Sequence, residues 1–333
     1  MDNISKILSA NSKDAEIKFL FNHLLSEDIT QEEQIRILEI INYNGINKRY
    51  LSLMAAVVLE RSSKLNIEST DFIDTCGTGG SKKNIFNCST LSAFVVASCG
   101  LKVLKHGNKA STGKAGSADF LERAGVNLNA SQEVLKKAYE ALGIAFLFAP
   151  LFHSSLRFVA NARKAIKEKT IFNVLGPLVH PAAPQYQVVG SSDIDICRDM
   201  IEVLLEKKVS RAMVVCAFDS IDEITVTGPS QIYELKNKKI TEWVFEPKDY
   251  GFSTSVLEEI QTNSIEEAHL FGLEVLNGKR GAGLDMVAIN AGAALYIGAK
   301  VKSLSEGIEH AKREILSGRA LLKLNTYAQY TKS

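Results

Sequence analysis

The chain has 333 residues, 46% of them apolar, and its formal net charge at pH 7 is +1. This length and composition support a substantial buried core and argue against a disordered or fibrous protein. The near-neutral charge argues against a dedicated nucleic-acid binder, which normally carries a strongly basic face, so any basic function must be local.

The five cysteines, at positions 76, 88, 99, 197 and 216, lie within or beside apolar runs. They form no Cys-x-x-Cys pair, and their odd number favours buried thiols in a reducing compartment over a zinc site. No segment approaches the roughly 18 uncharged apolar residues of a membrane span, and the first residues lack a basic stretch followed by an apolar one. The sequence therefore predicts a cytoplasmic protein with no membrane partner.

The first 69 residues are predicted to be helical. One stripe with the spacing of a helix face consists of Ile17, Leu20, Phe21, Leu24 and Leu25. Thr30 and Glu33 are spaced as a capping box at the start of a second helix. A third helix, around residues 51–59, has an apolar face that must pack on the rest of the chain or on a second subunit. That face consists of Leu51, Met54, Ala55 and Val58. We expect a small all-helical domain over residues 1–69, completed by part of 155–183.

From about residue 70, short apolar runs alternate with amphipathic stretches, the βα pattern of a mainly parallel sheet flanked by helices. The strand candidates are residues 72–73, 101–104, 144–148, 186–190, 213–216, 224–227, 231–235 and 240–245. The last two are separated by a polar turn and are predicted to add an antiparallel hairpin to the sheet. Beyond Ser264 the pattern returns to helix. We therefore expect a larger α/β domain over residues 70–333.

A glycine loop, Gly-Thr-Gly-Gly at residues 77–80, ends the first of these runs. Without Cβ atoms, its backbone N–H groups can approach phosphate oxygens closely. We expect Ser89 to cap the next helix and direct its positive end to the same place. The spacing fits neither a P-loop nor a dinucleotide fingerprint, which needs a glycine where Lys82 stands. Taken alone, the loop is also compatible with a plain strand-to-helix connection.

A second polar segment, Lys-His-Gly-Asn-Lys at residues 105–109, follows the strand candidate 101–104 and leads into a donor-rich loop at 111–117. Ligands of open α/β sheets bind beyond the carboxyl ends of the strands, where these residues would lie. We expect this segment to supply the second half of an anion site. A solvated lysine-glycine loop is the alternative.

Two adjacent carboxylates, Asp222 and Glu223, precede the strand candidate 224–227. Hard oxygen ligands at such a junction suit Mg²⁺, which takes one or two carboxylates together with phosphate oxygens. An acidic pair on the surface is the simpler interpretation of these two residues alone. Only the glycine loop elsewhere makes a magnesium site preferable.

Residues 153–177 mix cations with a sharp Gly-Pro turn. Within them, Arg163 can present a planar guanidinium fork to a carboxylate, which a lysine cannot. The neighbouring Lys164, Lys167 and Lys169 are interpreted as an exposed helix face. Three histidines in helical segments without a motif are treated as ordinary surface or packing residues: His23, His269 and His310.

Six motifs, in their order and intervals, resemble those of the anthranilate phosphoribosyltransferase family. They are the glycine loop at 77–80, Asn-x-Ser-Thr at 87–90, Lys-His-Gly-Asn at 105–108, Gly-Ser-Ala-Asp at 116–119, Phe-Asn-x-Leu-Gly-Pro at 172–177 and Asp-Glu at 222–223. The resemblance runs from the N-terminal helices to the last helix. It implies a homodimer formed through the N-terminal helices. It also implies that phosphoribosyl pyrophosphate and Mg²⁺ bind on the sheet and that anthranilate enters between the domains.

The resemblance also implies roles for residues of this chain. Phosphoribosyl pyrophosphate would be held by Gly77, Gly80, Asn87, Ser89, Thr90, Lys105 and Ser117, and further substrate-binding residues would be Ser81, Ile85 and Gly107. Magnesium would be served by Ser89, Asp222 and Glu223. Anthranilate would face Asn108 and Arg163, with His106 and His153 along its path and Gly176 and Pro177 in the pocket wall. The catalytic residues would be Asn108, Arg163 and Lys105.

Four positions depart from the usual pattern of this family. Ser81 stands where an aspartate is common, Lys109 replaces an arginine, Ala115 a serine and His180 an asparagine. The exchange at position 81 removes a negative charge beside the expected pyrophosphate site. We therefore expect it to alter the affinity for substrate or metal.

Two other functions share this fold. The pyrimidine nucleoside phosphorylases place a serine after their Lys-His pair, where this chain has Gly107. A nucleic-acid-binding relative would have lost the substrate ligands, yet Asn108, Arg163 and the acidic pair are present, and the near-neutral charge gives DNA little to hold. The sequence therefore favours transfer of a 5-phosphoribosyl group to the amine of anthranilate, a step of tryptophan biosynthesis.

Overall fold

The computed structural model describes residues 3–67, 71–110 and 114–332. Two features of the sequence analysis lie outside these ranges: part of the donor-rich loop, Ser111 to Gly113, and the expected domain boundary at residues 69 and 70. Within the described ranges, no helix has both the length and the apolar character needed to cross a membrane.

Helices form the start of the chain, as predicted: α1 (Asn3–Ile7), α2 (Asp14–Leu24), α3 (Gln31–Asn44) and α4 (Lys48–Glu60). The Thr30 hydroxyl caps α3 and accepts a hydrogen bond from the Glu33 N–H at 3.2 Å. The predicted stripe on α2 is buried, with Ile17 and Phe21 fully inaccessible to solvent.

A seven-stranded sheet follows. Its strands are β1 (Ile73–Gly77), β2 (Val103–Gly107), β3 (Ile144–Phe148), β4 (Tyr186–Gly190), β5 (Arg211–Ala217), β6 (Ser230–Lys236) and β7 (Lys239–Phe245). Their order is β3-β2-β1-β4-β5-β6-β7. The first five are parallel, and β6 and β7 continue the sheet as an antiparallel hairpin. The predicted α/β class with its added hairpin is confirmed.

The remaining α-helices connect or cover these strands. They are α5 (Cys88–Ser98), α6 (Ser117–Arg123), α7 (Gln132–Leu142), α8 (Ala149–Phe152), α9 (Ala160–Ala165), α10 (Phe172–Leu175), α11 (Cys197–Glu206), α12 (Ile265–Leu276), α13 (Ala282–Ile297), α14 (Leu304–Leu316) and α15 (Arg319–Tyr330). Helices α5 and α13 are apolar on all sides and almost wholly buried, as expected for central helices. A Cβ at Gly292 would lie 2.5 Å from the Ile308 nitrogen, so the small residues of α13 allow α14 to approach closely.

The sheet separates two hydrophobic cores, because consecutive side chains of a strand point to opposite faces. On β4, Val188 packs into the core that contains α5 and α13, whereas Val189 packs into the core that contains the N-terminal helices. The apolar face of α4 is buried in this second core: Leu51, Met54, Ala55 and Val58. That face therefore packs on the chain itself, one of the two alternatives that its sequence left open.

The segment that leads to the Gly-Pro turn is attached to α3 by side chains. The Gln34 amide donates to the Phe158 carbonyl at 3.1 Å, and the Asn42 amide donates to the Lys169 carbonyl at 2.8 Å. Both bonds connect positions more than 120 residues apart in the sequence. The N-terminal helices are thereby fixed to one wall of the cavity described below.

The strand predicted at residues 224–227 is wrong. This segment has no regular structure, although Ile224 and Val226 are buried in the core as a strand pattern requires. Its backbone is satisfied by a side chain instead: Asn290 on α13 accepts from the Ile224 N–H at 3.0 Å and donates to the Ile224 carbonyl at 2.8 Å. A buried amide can replace a neighbouring strand in this way, which residue periodicity alone does not reveal.

Asn290→Ala tests this substitute for strand pairing. We expect it to lower the free energy of unfolding by about 2–4 kcal/mol, because the buried N–H and carbonyl of Ile224 both lose their partner. Urea denaturation measures the change. Asn277→Ala is the matched control, since Asn277 is exposed at the end of α12, and it should cost under about 0.5 kcal/mol. Equal losses in the two variants would contradict the role given to Asn290.

Candidate active site

A cavity of ≈ 360 Å³ lies at the carboxyl edge of the parallel strands. Its lining includes every site residue predicted from the sequence: Gly77, Gly80, Ser81, Ile85, Asn87, Ser89, Thr90, Lys105, His106, Gly107, Asn108, Ser117, His153, Arg163, Gly176, Pro177, Asp222 and Glu223. One side is formed by the ends of β1 and β2 and the start of α5. The other side is formed by residues of α8 to α10. The structure thus brings together segments separated by more than 140 residues of sequence.

The acidic pair is bonded to both of the backbone features expected to bind anions. The Gly79 N–H donates to Asp222 Oδ2 at 2.8 Å, and the Ser89 N–H donates to Glu223 Oε1 at 2.9 Å. Desolvation raises the pKa of both carboxyl groups, and the charge of Asp222 adds to this effect at Glu223. The glycine loop, the helix start and the acids therefore form one connected unit.

Two glycines leave the space that Asp222 occupies in this unit. A Cβ on Gly190 would lie only 1.7 Å from the Asp222 carbonyl oxygen, and one on Gly77 would lie 2.5 Å from Asp222 Oδ2. Gly79 and Gly80 both have positive φ, at +68° and +79°. The last residues of β1 and β4 must therefore be glycine for the acidic loop to close over them.

Strand β2 begins two residues later than predicted, at Val103, and continues through Lys105, His106 and Gly107, which were expected to follow it. The correction has a clear cause, because Lys105 is buried at 3% exposure and its charge is satisfied there. Its Nζ donates to the Thr75 carbonyl and lies 3.3 Å from Ser89 Oγ. A buried lysine with such partners does not end a strand, although it ends the apolar run in the sequence.

The predicted N-cap of α5 is also wrong. The helix begins at Cys88, so Asn87 is the capping residue and Ser89 lies in the first turn. Asn87 makes no side-chain cap; its amide donates to the Ala115 carbonyl at 3.0 Å. Its Oδ1 and the Thr90 hydroxyl are buried polar atoms without a hydrogen-bond partner. Orphaned buried acceptors and donors beside a cavity suit a polar ligand.

The loop after β2 is closed back on itself. Ser117 Oγ donates to the Asn108 carbonyl at 3.2 Å, and a Cβ on Gly107 would collide with that hydroxyl at 2.3 Å. Asp119 accepts from the N–H groups of Ala110 and Gly116, at 2.9 and 2.8 Å, on either side of residues 111–113. Ser117 and the Asn108 backbone are thus held at the cavity by contacts within the loop.

The opposite wall carries Arg163 on α9. Its guanidinium lies over the Phe172 ring at 5.3 Å, and burial lowers its pKa. No carboxylate of the described residues contributes to that shift. A partly buried cation that lacks an anionic neighbour and faces a cavity is suited to a carboxylate ligand.

Three buried histidines form a cluster at the cavity, and two of them, His106 and His153, line it. His106 and His153 approach each other with their Nε2 atoms 3.2 Å apart, and the His153 Nδ1 lies 2.6 Å from the Ser62 hydroxyl. Burial lowers the pKa of all three rings, that of His153 to about 4. His180 donates to the Leu104 carbonyl at 2.9 Å and accepts from the Ala182 N–H at 3.1 Å. The histidine at position 180 thus fixes the turn that contains Pro181.

Sequence reasoning missed several residues around the cavity. Lys169 is exposed, as predicted, but it does not lie on a helix, because α9 ends at Ala165; its amine lies 3.1 Å from Ser192 Oγ beside the glycine loop. Ser192 also donates to the Gly79 carbonyl at 2.9 Å, and no pattern in the sequence indicated it. Asn173 lines the cavity too, and its place in the motif at 172–177 was an available signal.

Residues 69–321 match the model of the glycosyl transferase family, a/b domain. Relatives include the anthranilate phosphoribosyltransferases of Thermoanaerobacter sp., 38% identical over 98% of this chain and 97% of the relative, and of Neisseria gonorrhoeae, 38% identical over 95% and 93%. The fold is similar to the crystal structure of the Thermus thermophilus enzyme, with a TM-score of 0.92 and 32% identity over the whole of both chains. The Saccharomyces cerevisiae enzyme in complex with PRPP and Mg has the same fold, with a TM-score of 0.90 and 24% identity over 99% of this chain and 96% of that one.

The histidine cluster should make the fold sensitive to acid. Because the pKa of His153 falls from 6.5 to about 4 on folding, the unfolded chain binds more protons below about pH 6.5, and stability is lost as the pH falls towards 4. Between pH 7 and 5 this one group accounts for about 2 kcal/mol. We expect His153→Gln to remove that part of the pH dependence, measured by urea denaturation at both pH values. A wild-type slope in His153→Gln would contradict the assignment.

Proposed function

Because the chain belongs to the anthranilate phosphoribosyltransferase family, we propose that it transfers the 5-phosphoribosyl group from phosphoribosyl pyrophosphate to the amine of anthranilate, releasing pyrophosphate. One observation carries the proposal. The acidic pair, the glycine loop and the start of α5 lie at one end of a single cavity, while Arg163, which has no carboxylate neighbour among the described residues, lies in its other wall. Such a cavity suits a metal-bound diphosphate together with an aromatic carboxylate.

The sugar diphosphate is assigned to the glycine-loop end. Backbone N–H groups of the loop, the first turn of α5 and the buried Lys105 ammonium place positive charge there. The orphaned Asn87 Oδ1 and Thr90 hydroxyl gain hydrogen-bond partners from a bound sugar or phosphate. The residues assigned to this ligand are Gly77, Gly80, Ser81, Ile85, Asn87, Ser89, Thr90, Lys105, Gly107 and Ser117. Lys105 counts as catalytic because its charge lies where the leaving pyrophosphate becomes more negative.

Magnesium fits the residues at this end. Asp222 and Glu223 each use one carboxylate oxygen to accept a backbone N–H, which leaves the second oxygen of each free of that bond. The Ser89 hydroxyl is adjacent, so the donor set consists of hard oxygens, as Mg²⁺ prefers. When bound, the ion would stabilise the negative charge that develops on the departing pyrophosphate. The shared N–H contacts hold both acids in place for it.

Anthranilate is assigned to the opposite wall. The Arg163 guanidinium binds its carboxylate, and Asn108 orients its amine towards the ribose. His106, His153, Gly176 and Pro177 form the pocket around the ring. The aromatic amine is already neutral near pH 7, so the reaction needs positioning more than a strong base. Orientation alone can account for about 7–11 kcal/mol of a barrier, more than a single general base supplies.

The wider organisation follows the same proposal. The proposed helical domain of residues 1–69 reaches the cleft through the part of 155–183 that completes it, since Leu156, Arg163 and Phe172 line the cavity; the rest of residues 70–333 forms the other side. A second copy of the chain would pack on the N-terminal helices, where Phe19 and Tyr43 remain 75% and 92% exposed. All five cysteines are free and buried, which suits the reducing cytoplasm. Neither nucleic acid nor a membrane is a proposed partner.

The direct test is turnover. Purified protein given anthranilate and phosphoribosyl pyrophosphate should form phosphoribosyl anthranilate, followed by the change in fluorescence, only when Mg²⁺ is present. Absence of product with fresh substrates would refute the proposed reaction. Inorganic phosphate and a pyrimidine nucleoside serve as the negative substrate pair, which should give no cleavage.

Asp222→Asn combined with Glu223→Gln tests the metal site. We expect Mg²⁺-dependent turnover to be lost while the circular dichroism spectrum and Tm stay near wild type, since an amide oxygen still accepts the Gly79 and Ser89 N–H groups. Asp219→Asn is the matched control, because Asp219 lies in the same segment but outside the cavity lining. An unchanged dependence on Mg²⁺ in the double variant would show that the metal binds elsewhere.

Arg163→Ala tests the acceptor wall. Loss of a charge-assisted hydrogen bond pair should raise the KM for anthranilate about tenfold or more and leave the KM for phosphoribosyl pyrophosphate nearly unchanged. Arg163→Lys should restore little, since an ammonium lacks the planar fork. Arg157→Ala is the control on the same segment, where the side chain is 70% exposed. A rise confined to the KM for phosphoribosyl pyrophosphate would mean that Arg163 belongs to the other pocket.

A further inference from the structure

Three side chains of metal-binding types meet at the far end of α5, away from the cavity. They are Cys99, which follows α5 directly, and His310 and Glu314 on α14. Their ligand atoms all lie within 4.8 Å of one another. We propose that these residues bind a zinc ion.

The donor set selects the metal. A thiolate, an imidazole and a carboxylate are the three side-chain types that zinc takes, whereas Mg²⁺ and Ca²⁺ take oxygen ligands almost exclusively. His310 and Glu314 are four positions apart on one helix, so they face the same side one turn apart. Cys99 approaches from the end of a different helix, α5. Three protein ligands leave one tetrahedral position for water or another group.

The local charges also suit a divalent cation. Cys99 and Glu314 are buried, at 9% and 1% exposure, and a thiolate with a carboxylate balances the two positive charges of zinc. Arg319 pairs with both oxygens of Glu314, one contact being 2.7 Å. Each carboxylate oxygen has a second lone pair, so this pairing orients the ligand and leaves it able to bind metal. With zinc bound the site is neutral overall, and because the thiol proton leaves as the ion enters, binding adds one net positive charge near Arg319 and Lys300.

The site would join two parts of the fold. Helix α5 begins at the cavity with Cys88 and ends at Ser98, just before Cys99, and its 11 residues span roughly 16 Å. Zinc would fasten that end to the C-terminal helices α14 and α15 without touching the residues assigned to substrate. Binding displaces the proton of the Cys99 thiol, so one proton is released to solvent for each ion bound.

Cobalt(II) is the first probe, because thiolate ligation gives it a charge-transfer band in the near ultraviolet. The purified full-length protein should show that band with one equivalent of Co²⁺, and Zn²⁺ should abolish it. Cys99→Ala should lack the band. Its absence in wild type, or its persistence in Cys99→Ala, would overturn the proposal.

His310→Ala is the second variant, since this partly exposed ring can be removed with little risk to folding. We expect zinc affinity, measured by competition with a chromogenic chelator, to fall by more than about tenfold, the loss that even an outer ligand partner brings. The matched control His23→Ala should retain wild-type affinity. An unchanged affinity in His310→Ala would overturn the three-ligand site. Transferase activity does not enter either readout, so these tests and those of the proposed function fail independently.

Discussion

The rest of the site depends on one pair of hydrogen bonds. The Gly79 N–H donates to Asp222, and the Ser89 N–H donates to Glu223. These contacts connect the loop after β1 to the start of α5 through a segment more than 130 residues further along the chain. The contacts are possible only because β1 and β4 end in glycine, where any Cβ would strike Asp222. These two glycines, Gly77 on β1 and Gly190 on β4, thus make room for the segment that contains Asp222. That segment follows β5 and is adjacent in sequence to neither strand.

These contacts also change how the anion site must work. The N–H groups of Gly79 and Ser89, which the motifs mark for phosphate, already hold carboxylates. A diphosphate placed there would meet two negative charges unless a cation lies between them. Burial raises the pKa of both acids, which is the cost of holding two carboxylates side by side away from water. Under the proposed function, the acid pair and a bound metal would therefore form one electrostatic arrangement, and the phosphate contacts would fall to the remaining donors of the loop and to Lys105.

Much of this arrangement could be predicted from the sequence, since the motifs, the helical start, the parallel strands and the hairpin all have local signals. The wrong predictions concern positions where a hydrogen-bond partner from a distant segment determines the local structure. Lys105 appeared to end a strand because its partners on β1 and α5 are invisible in the sequence, and residues 224–227 resembled a strand because Asn290 stands in for the neighbouring strand. Ser89 appeared to be a cap because serine is a common N-cap before an apolar run, whereas the helix already begins at Cys88 and the Ser89 N–H is bonded to Glu223 from another segment.

The same reasoning applies to the cluster at the far end of α5. The spacing of the cysteines argued against zinc, and no motif surrounds His310. The proposed site combines the end of α5 with α14, which are far apart in the sequence, so its ligands have no fixed spacing that a sequence pattern could reveal. What reveals it is burial: Glu314 is almost wholly enclosed, and enclosed carboxylates need cations. Arg319 supplies one from the solvent side, while the thiol and imidazole face the same carboxylate from within the fold. In this chain, buried polar groups that have partners from distant segments set both the geometry of the cavity and the features that no local pattern could predict.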